Sequence, residues 1–164
     1  MKQSVRDDQI QEQMRPGVIT RDGMLGADRR KVRDILEADD AAVRRLGLTH
    51  ARIAARMREL RDAGAAGLGQ AIDVLDHFEV RVDSARGGLP CPFMHEGLFG
   101  KEFVEVLNRR SGERLTFTAL NVHMIGTHGF YEGEGAFFRQ DPQVLARVLE
   151  LLPEGSVPAA QKGP

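Results

Sequence analysis

The chain has 164 residues, 41% of them hydrophobic and 29% charged, with a formal net charge of −1 at pH 7. This length suits one ordinary domain, and the near-neutral charge excludes a protein that coats nucleic acid or an anionic membrane with its whole surface. No apolar run is long enough to span a bilayer, so no membrane contact is expected. The single cysteine excludes an internal disulfide. Together with a polar N-terminus that lacks a secretory signal, it predicts a cytoplasmic protein, and the excess of arginine over lysine is typical of a GC-rich bacterial genome.

The N-terminal part of the chain is predicted to contain a polar segment followed by helices. Within the polar N-terminal segment 1–27, residues 1–14 are expected to be frayed, and Asp22-Gly23 is a hairpin-turn signal between short apolar flanks. A broken apolar stripe indicates a helix over 28–46, with Asp28 as its cap, and the Asp39-Asp40 pair favours a division of this helix into two.

A second helix is predicted over 50–63. Gly47 would end the preceding helix, and Thr49 would cap this one. Its apolar residues recur at helical spacing and share one face: Ile53, Met57 and Leu60. Glycines between 64 and 69 end the helix, so residues 28–69 are interpreted as a helical subdomain.

Residues 70–153 are predicted to form an α+β subdomain. Apolar and polar residues alternate from Phe78 to Ser84, which indicates a half-buried strand, and Arg86-Gly87-Gly88 is typical of a turn. Residues 102–108 and 115–120 are predicted to pair as a hairpin around the turn at 110–113. The sheet is therefore expected to be small and mostly antiparallel.

The C-terminal part is predicted to close the fold with a helix. Residues 121–129 are compatible with a short helix or a continuing strand, and the glycines of 130–139 favour a turn or a hairpin tip. Asp141 and Pro142 begin a helix that would run to residue 152, and residues 154–164 are expected to be a disordered tail. The predicted fold class is α+β, with an N-terminal helical hairpin, a mostly antiparallel sheet and a C-terminal helix.

Side chains that bind metals are concentrated in the middle of the chain. The candidate ligands are Cys91, His95, His123 and His128, spaced as C-x3-H and H-x4-H on either side of the predicted hairpin. Zinc takes thiolate and imidazole ligands in tetrahedral geometry, commonly from two short-spaced pairs that the fold brings together. With all four ligands the ion would be structural, and with fewer it would keep an open position and activate water.

The spacing of the second pair imposes a condition on this site. Five residues of an unbroken α-helix rotate by about 500°, so His123 and His128 would point to different sides. They share an ion only if the helix ends near Gly126 or if the segment is not helical. The alternative is that the cysteine and the histidines are ordinary buried or hydrogen-bonded side chains.

The aromatic and glycine-rich segment HGFYEGEGAFFR suggests acid/base chemistry. His128, Glu132 and Glu134 are candidate catalytic residues, because a carboxylate held among aromatic rings has a raised pKa. Arg139 is a candidate clamp for an anionic group, and Tyr131 a candidate ligand-binding residue. The alternative is a hairpin whose aromatics pack inward and whose glutamates face water.

Residues 46–64, LGLTHARIAARMRELRDAG, resemble the helix-turn-helix element of bacterial transcription regulators. Gly47 stands in the turn, Thr49 caps the second helix, and the apolar face of that helix would turn back onto the first. Extended to residues 41–64, the resemblance implies DNA binding. It assigns base contacts to His50, Arg52 and Arg56. It assigns phosphate contacts to Arg44, Arg45 and Arg58.

Three functions remain open from the sequence. The first is binding of a zinc-like transition-metal ion or a small ligand at the Cys/His site, with hydrolytic acid/base chemistry as an extension. The second is a DNA-binding regulator that uses residues 41–64. The third is an interaction module without catalysis.

Overall fold

The structure, a computed structural model, describes residues 3–153 of the chain. Its elements run in the order α1 (Val5–Gln13), α2 (Val32–Arg45), α3 (His50–Gly64), a 3₁₀ turn (Ala65–Gly67), β1 (Ile72–Val74), β2 (Phe78–Pro90), β3 (Leu98–Asn108), β4 (Arg114–Thr118), α4 (Ala119–His123), a π-helical turn (Met124–His128) and α5 (Pro142–Val148). The predicted α+β class, with helices before the antiparallel sheet and a C-terminal helix, is confirmed. None of the helices within residues 3–153 has the length and apolar character needed to cross a membrane.

The N-terminal segment is a helix, and the prediction of a frayed end is wrong for the described part of it. Ser4 caps α1 by accepting a hydrogen bond from the Asp7 amide. Ile10 and Met14 share a face of this helix and are buried against α2 and its neighbours. Burial of these two side chains stabilises a segment whose other residues are mostly polar. The Asp22-Gly23 pair does not form a hairpin, because its flanks lie in turns and bends.

Helix α2 begins later than predicted and is not divided. Asp28 does not cap it; the Asp28 carboxylate binds the side chain of Arg30 and the amide of Glu134. The helix passes through Asp39-Asp40 without a break, because Asp39 is buried in a bidentate ion pair with Arg139 at 2.6 and 2.8 Å. A tertiary contact therefore offsets the low helix propensity of the two aspartates.

Helix α3 has the predicted boundaries and lies against the sheet. Gly47, with φ of 71°, ends the preceding helix, and the Thr49 side chain caps α3 by accepting from the Arg52 amide. The apolar face of α3 is fully buried in one core cluster with the side chains of the sheet, and Gly64 lets the helix approach Val80 closely. α2 packs instead against α1 and α5.

The four strands form one antiparallel sheet in the order β1-β2-β3-β4. The predicted hairpin is the β3–β4 pair, but its second strand ends at Thr118, where α4 begins. The predicted turn at Arg86-Gly87-Gly88 is wrong, because β2 continues to Pro90 with a bulge between Ala85 and Gly88. Pairing along β3 overrides the local turn signal and moves the turn to residues 91–97. β1 was not predicted from the sequence.

The far ends of β2 and β3 extend beyond the other two strands. β1 pairs with β2 only as far as Val80, and β4 pairs with β3 only from Phe103 onward. Residues 84–90 and 98–102 therefore form a two-stranded ribbon, which we call the β2–β3 ribbon. A two-stranded ribbon gains little stability by itself, so the contacts of its tip with the helices matter.

The C-terminal part differs from the prediction in the length of its helix and in the path of residues 130–139. Asp141 caps α5 and Pro142 occupies its first turn, as expected, but the helix ends at Val148. Residues 130–139 do not form a hairpin tip; they cross residues 24–28, with hydrogen bonds from Gly133 to Met24 and from Ala27 to Glu134. The predicted tail, 154–164, lies outside the described residues.

Candidate functional site

Three of the four predicted metal ligands lie together where the ribbon tip meets the helix after β4. Cys91 directly follows β2, His123 ends α4, and His128 ends the π-helical turn. α4 starts at this place because Thr118 and Asn121 form a reciprocal capping box at the end of β4. Strand β4, the capping box and α4 together determine the positions of the two imidazoles.

The segment stays helical through Gly126, so neither of the two conditions expected from the spacing is met; a π-helical turn brings His123 and His128 together instead. A π turn closes its hydrogen bonds over five residues, so side chains five apart can lie on one side. The turn ends at Gly129, whose φ of 66° is the left-handed conformation that glycine favours. Gly126, the expected break, lies within the turn and packs against Ala54 of α3 instead.

The donor atoms of Cys91, His123 and His128 form a tight group. One ligand atom from each residue lies within 4.8 Å of the others, and Cys91 Sγ is 3.5 Å from His128 Nε2. The two imidazole rings are 5.2 Å apart at an interplanar angle of 82°. The tertiary structure therefore brings together two clusters that are separated by the whole β3–β4 hairpin in sequence.

Two phenylalanines pack on the imidazoles and shield the group. Phe93 stacks on His128 with a centroid distance of 4.2 Å and an angle of 7°. Phe99 stacks on His123 at 4.0 Å and 23°. These contacts fix the ring planes of both histidines. Neither phenylalanine was assigned a role from the sequence; the position of Phe93 two residues after Cys91 was the available signal.

One imidazole nitrogen in the group is buried without a hydrogen bond. Within residues 3–153, His123 Nε2 has no hydrogen-bond partner, whereas His123 Nδ1 lies 3.3 Å from the Thr127 hydroxyl. Buried polar atoms nearly always have a hydrogen-bond partner, so an unpaired buried nitrogen is a candidate position for a bound ligand. An ion bound at the group would pair with this nitrogen.

Burial sets the protonation states of the three side chains. It lowers the pKa of His128 to about 4, with a smaller effect from His123 and His95. Burial, followed by the proximity of His95, also lowers the pKa of His123. Both imidazoles are therefore neutral at pH 7 and can act as ligands. Burial raises the pKa of the Cys91 thiol, so an ion that binds the thiolate must displace its proton.

His95, the fourth predicted ligand, lies beside the group but outside it. Its ring is exposed, with centroid distances of 5.0 Å to His123 and 5.9 Å to His128. Its Nδ1 is 3.1 Å from the Glu96 carbonyl oxygen. The structure thus holds three donors in place and leaves His95 on an exposed loop next to them.

The predicted catalytic carboxylates do not join the metal-ligand group. Glu132 is buried, accepts a hydrogen bond from Asn121 at 3.1 Å, and has its pKa raised to about 7 by burial. The Glu134 side chain is 74% exposed and lies 3.8 Å from Arg30. Neither is among the residues that cluster with His128. The raised pKa expected of a carboxylate in this segment is found at Glu132.

Tyr131 and Arg139, the predicted ligand-binding residues, are engaged inside the protein. Tyr131 is fully buried, and its hydroxyl is 2.8 Å from His50 Nδ1; His50 Nε2 is in turn 3.0 Å from Asp40. Arg139 is paired with Asp39 and donates to the Glu132 carbonyl oxygen. This Asp40–His50–Tyr131 network joins residues far apart in sequence, so no local pattern could have indicated it.

The residues assigned to DNA contacts are split between the surface and the interior. Arg45 and Arg52 are exposed. His50 is held by Tyr131 and Asp40, and Arg56 donates to the Leu149 carbonyl oxygen and to Glu59 while lying over the Phe78 ring. The basic surface available to a nucleic acid is therefore smaller than the resemblance implied.

The group at Cys91, His123 and His128 can bind a metal ion through one thiolate and two neutral imidazoles. Comparison with known proteins finds no matching family, no matching curated protein and no matching solved structure.

Proposed function

We propose that the protein binds a transition-metal ion, with zinc as the best fit, through Cys91, His123 and His128. The observation that supports this most directly is the grouping of three donor atoms within 4.8 Å of one another. One of the three residues, His123, also has a buried imidazole nitrogen that finds no partner in the described part of the chain. Thiolate and imidazole are the ligands that zinc prefers, and a site with three protein ligands is typical of zinc centres that keep a position open.

The separation of the donors agrees with a shared ion. Two ligands of a tetrahedral zinc, one sulfur and one nitrogen, lie about 3.6 Å apart given the usual bond lengths. The Cys91 Sγ to His128 Nε2 distance is 3.5 Å. The group therefore requires little rearrangement of these two side chains on metal binding, which reduces the cost of assembling the site.

The fourth position determines what the ion does. His95 is the nearest further donor, and its coordination would close the site and make the ion structural. If His95 stays in solvent, water occupies the open position, and the ion lowers the pKa of that water and favours hydrolysis. The exposure of His95 supports the open form, so hydrolytic chemistry is the extension of this proposal.

Metal content measured on the purified protein tests the proposal. We expect one zinc per chain by elemental analysis, and a cobalt-substituted protein with thiolate-to-metal absorption. Cys91→Ser, His123→Ala and His128→Ala should each lose the metal. His77→Gln is the matched control, because His77 pairs with Glu150 outside the group and should leave the metal content unchanged.

His95→Ala separates the open from the closed site. Full zinc content in this variant supports three protein ligands, whereas a loss as large as that of His128→Ala supports four. A folded wild-type protein that takes up neither zinc nor cobalt from metal-supplemented buffer would contradict the proposal.

A further inference from the structure

Thr127 contacts His123 at Nδ1, whereas Nε2 is the ring nitrogen that has no hydrogen-bond partner within residues 3–153. Its Oγ1 is 3.3 Å from His123 Nδ1, and it stands four residues after His123 at the exposed side of the π-helical turn. Phe99 covers one face of the same imidazole and fixes its plane. Stacking fixes the plane of the ring but does not decide which nitrogen carries the proton. The Thr127 contact at Nδ1 can influence the position of that proton.

The surroundings of the two ring nitrogens favour one tautomer. In a neutral imidazole one nitrogen donates and the other accepts. With the proton on Nε2, His123 would bury an N–H donor that has no acceptor among residues 3–153, which is unfavourable. With the proton on Nδ1, the N–H donates to Thr127 Oγ1, and the Thr127 hydroxyl can donate its own hydrogen to solvent.

We propose that Thr127 is a positioning residue for the metal site. By accepting the Nδ1–H of His123, it holds the imidazole in the tautomer whose Nε2 lone pair is free to bind an ion beside Cys91 and His128. Partners of this kind fix the tautomer of metal-binding histidines and raise their basicity. The consequence for metal affinity rests on the proposed function, but the tautomer itself is a property of the metal-free protein.

Two substitutions at Thr127 isolate the hydroxyl. Thr127→Val keeps the shape and removes the acceptor, and Thr127→Ser restores the acceptor without the methyl group. Thr116→Val, in β4 and outside the metal-ligand group, is the matched control for the same chemical change. The tautomer of His123 is read by nitrogen NMR of histidine-labelled, metal-free protein near pH 8, and zinc affinity is measured by competition with a chelating dye.

We expect the Nδ1–H tautomer of His123 in the wild type, in Thr127→Ser and in Thr116→Val. Thr127→Val should move the population toward Nε2–H and weaken zinc binding by about 10- to 100-fold, whereas Thr127→Ser retains the wild-type affinity. A purely structural Thr127 would change the unfolding midpoint and leave the tautomer as it is.

The outcomes separate this inference from the proposed function. An unchanged tautomer and an unchanged zinc affinity in Thr127→Val would overturn the role of Thr127 while the metal site stands. A tautomer that shifts in Thr127→Val, in a protein that never binds zinc, would support the contact with Thr127 and overturn the metal site.

Discussion

Glu132 and Glu134 are two residues apart, yet they lie in different environments. Glu132 is 4% exposed, and this burial raises the pKa of its carboxyl group to about 7, although the hydrogen bond from Asn121 acts in the opposite direction. Glu134 extends into solvent beside Arg30. The segment crosses residues 24–28 between the two positions, and this crossing decides which carboxyl group loses its hydration.

The burial of Glu132 makes stability depend on pH. The unfolded chain releases this proton near pH 4.5, but the folded protein releases it near 7, so the folded state binds the proton more tightly between these values. Stability contributed by this group is therefore fully present below pH 4.5, falls as pH rises to 7, and is constant above it. The total change is at most about 3 kcal/mol.

Glu132→Gln tests this dependence, because glutamine keeps the shape and does not titrate. We expect the variant to be more stable than the wild type at pH 8 and to have lost the decline between pH 4.5 and 7, as measured by urea unfolding across pH. Glu134→Gln is the control and should follow the wild-type profile. A decline of unchanged size in Glu132→Gln would assign it to another group.

At the scale of elements, the crossing of residues 24–28 over 132–136 depends on glycine. A Cβ added to Gly133 would lie 2.3 Å from the Leu25 carbonyl oxygen, which is backbone and cannot move aside easily. The crossing also buries Tyr131 and Glu132 and lies directly after His128 in the chain. Close backbone contact, rather than a turn, is therefore the reason for glycine at this position.

Gly133→Ala is expected to destabilise the protein by more than about 2 kcal/mol, because the two backbones must separate. Gly100→Ala is the matched control: its Cβ would meet only the flexible Glu102 side chain at 3.5 Å, and the change should have a small effect. Thermal unfolding of the two variants provides the comparison. Equal destabilisation would show that the crossing tolerates a side chain at residue 133.

The elements also show which local signals were reliable. Caps were predicted correctly at Thr49 and Asp141, because a capping side chain binds amides only two or three residues away. The Arg86-Gly87-Gly88 turn signal failed, because pairing with β3 carried the strand past it. The cap signal at Asp28 also failed, because its carboxylate binds Arg30 and the Glu134 amide instead. Local signals held where the stabilising contacts are local and failed where contacts from distant parts of the chain replaced them.

For the whole molecule, the proposed ion would link the tip of the β2–β3 ribbon to the helix after β4. Cys91 belongs to the tip, and both histidines belong to the helical segment. An ion that binds only the folded arrangement stabilises it by mass action.

We therefore expect zinc to raise the unfolding temperature. At a free zinc concentration of a hundred times the dissociation constant, the gain is about 2.7 kcal/mol, which corresponds to roughly 5–10 °C for a chain of this size. Cys91→Ser should abolish the shift, and magnesium should not produce it, because magnesium prefers oxygen ligands. A shift that persists in Cys91→Ser would place the zinc elsewhere.

The sequence by itself determined the α+β class, the two helix caps, the β3–β4 hairpin and the identity of the side chains able to bind a metal. Each of these follows from residue type and short spacing, through periodicity and hydrogen bonds that close over a few residues. Only the tertiary structure decided that Cys91 meets His123 and His128 while His95 stays exposed, and that His50, Tyr131 and Arg139 are engaged inside the protein. These outcomes depend on the packing of the ribbon tip, the π-helical turn and α2 against one another, and burial within that packing determines which polar groups remain available to bind a ligand.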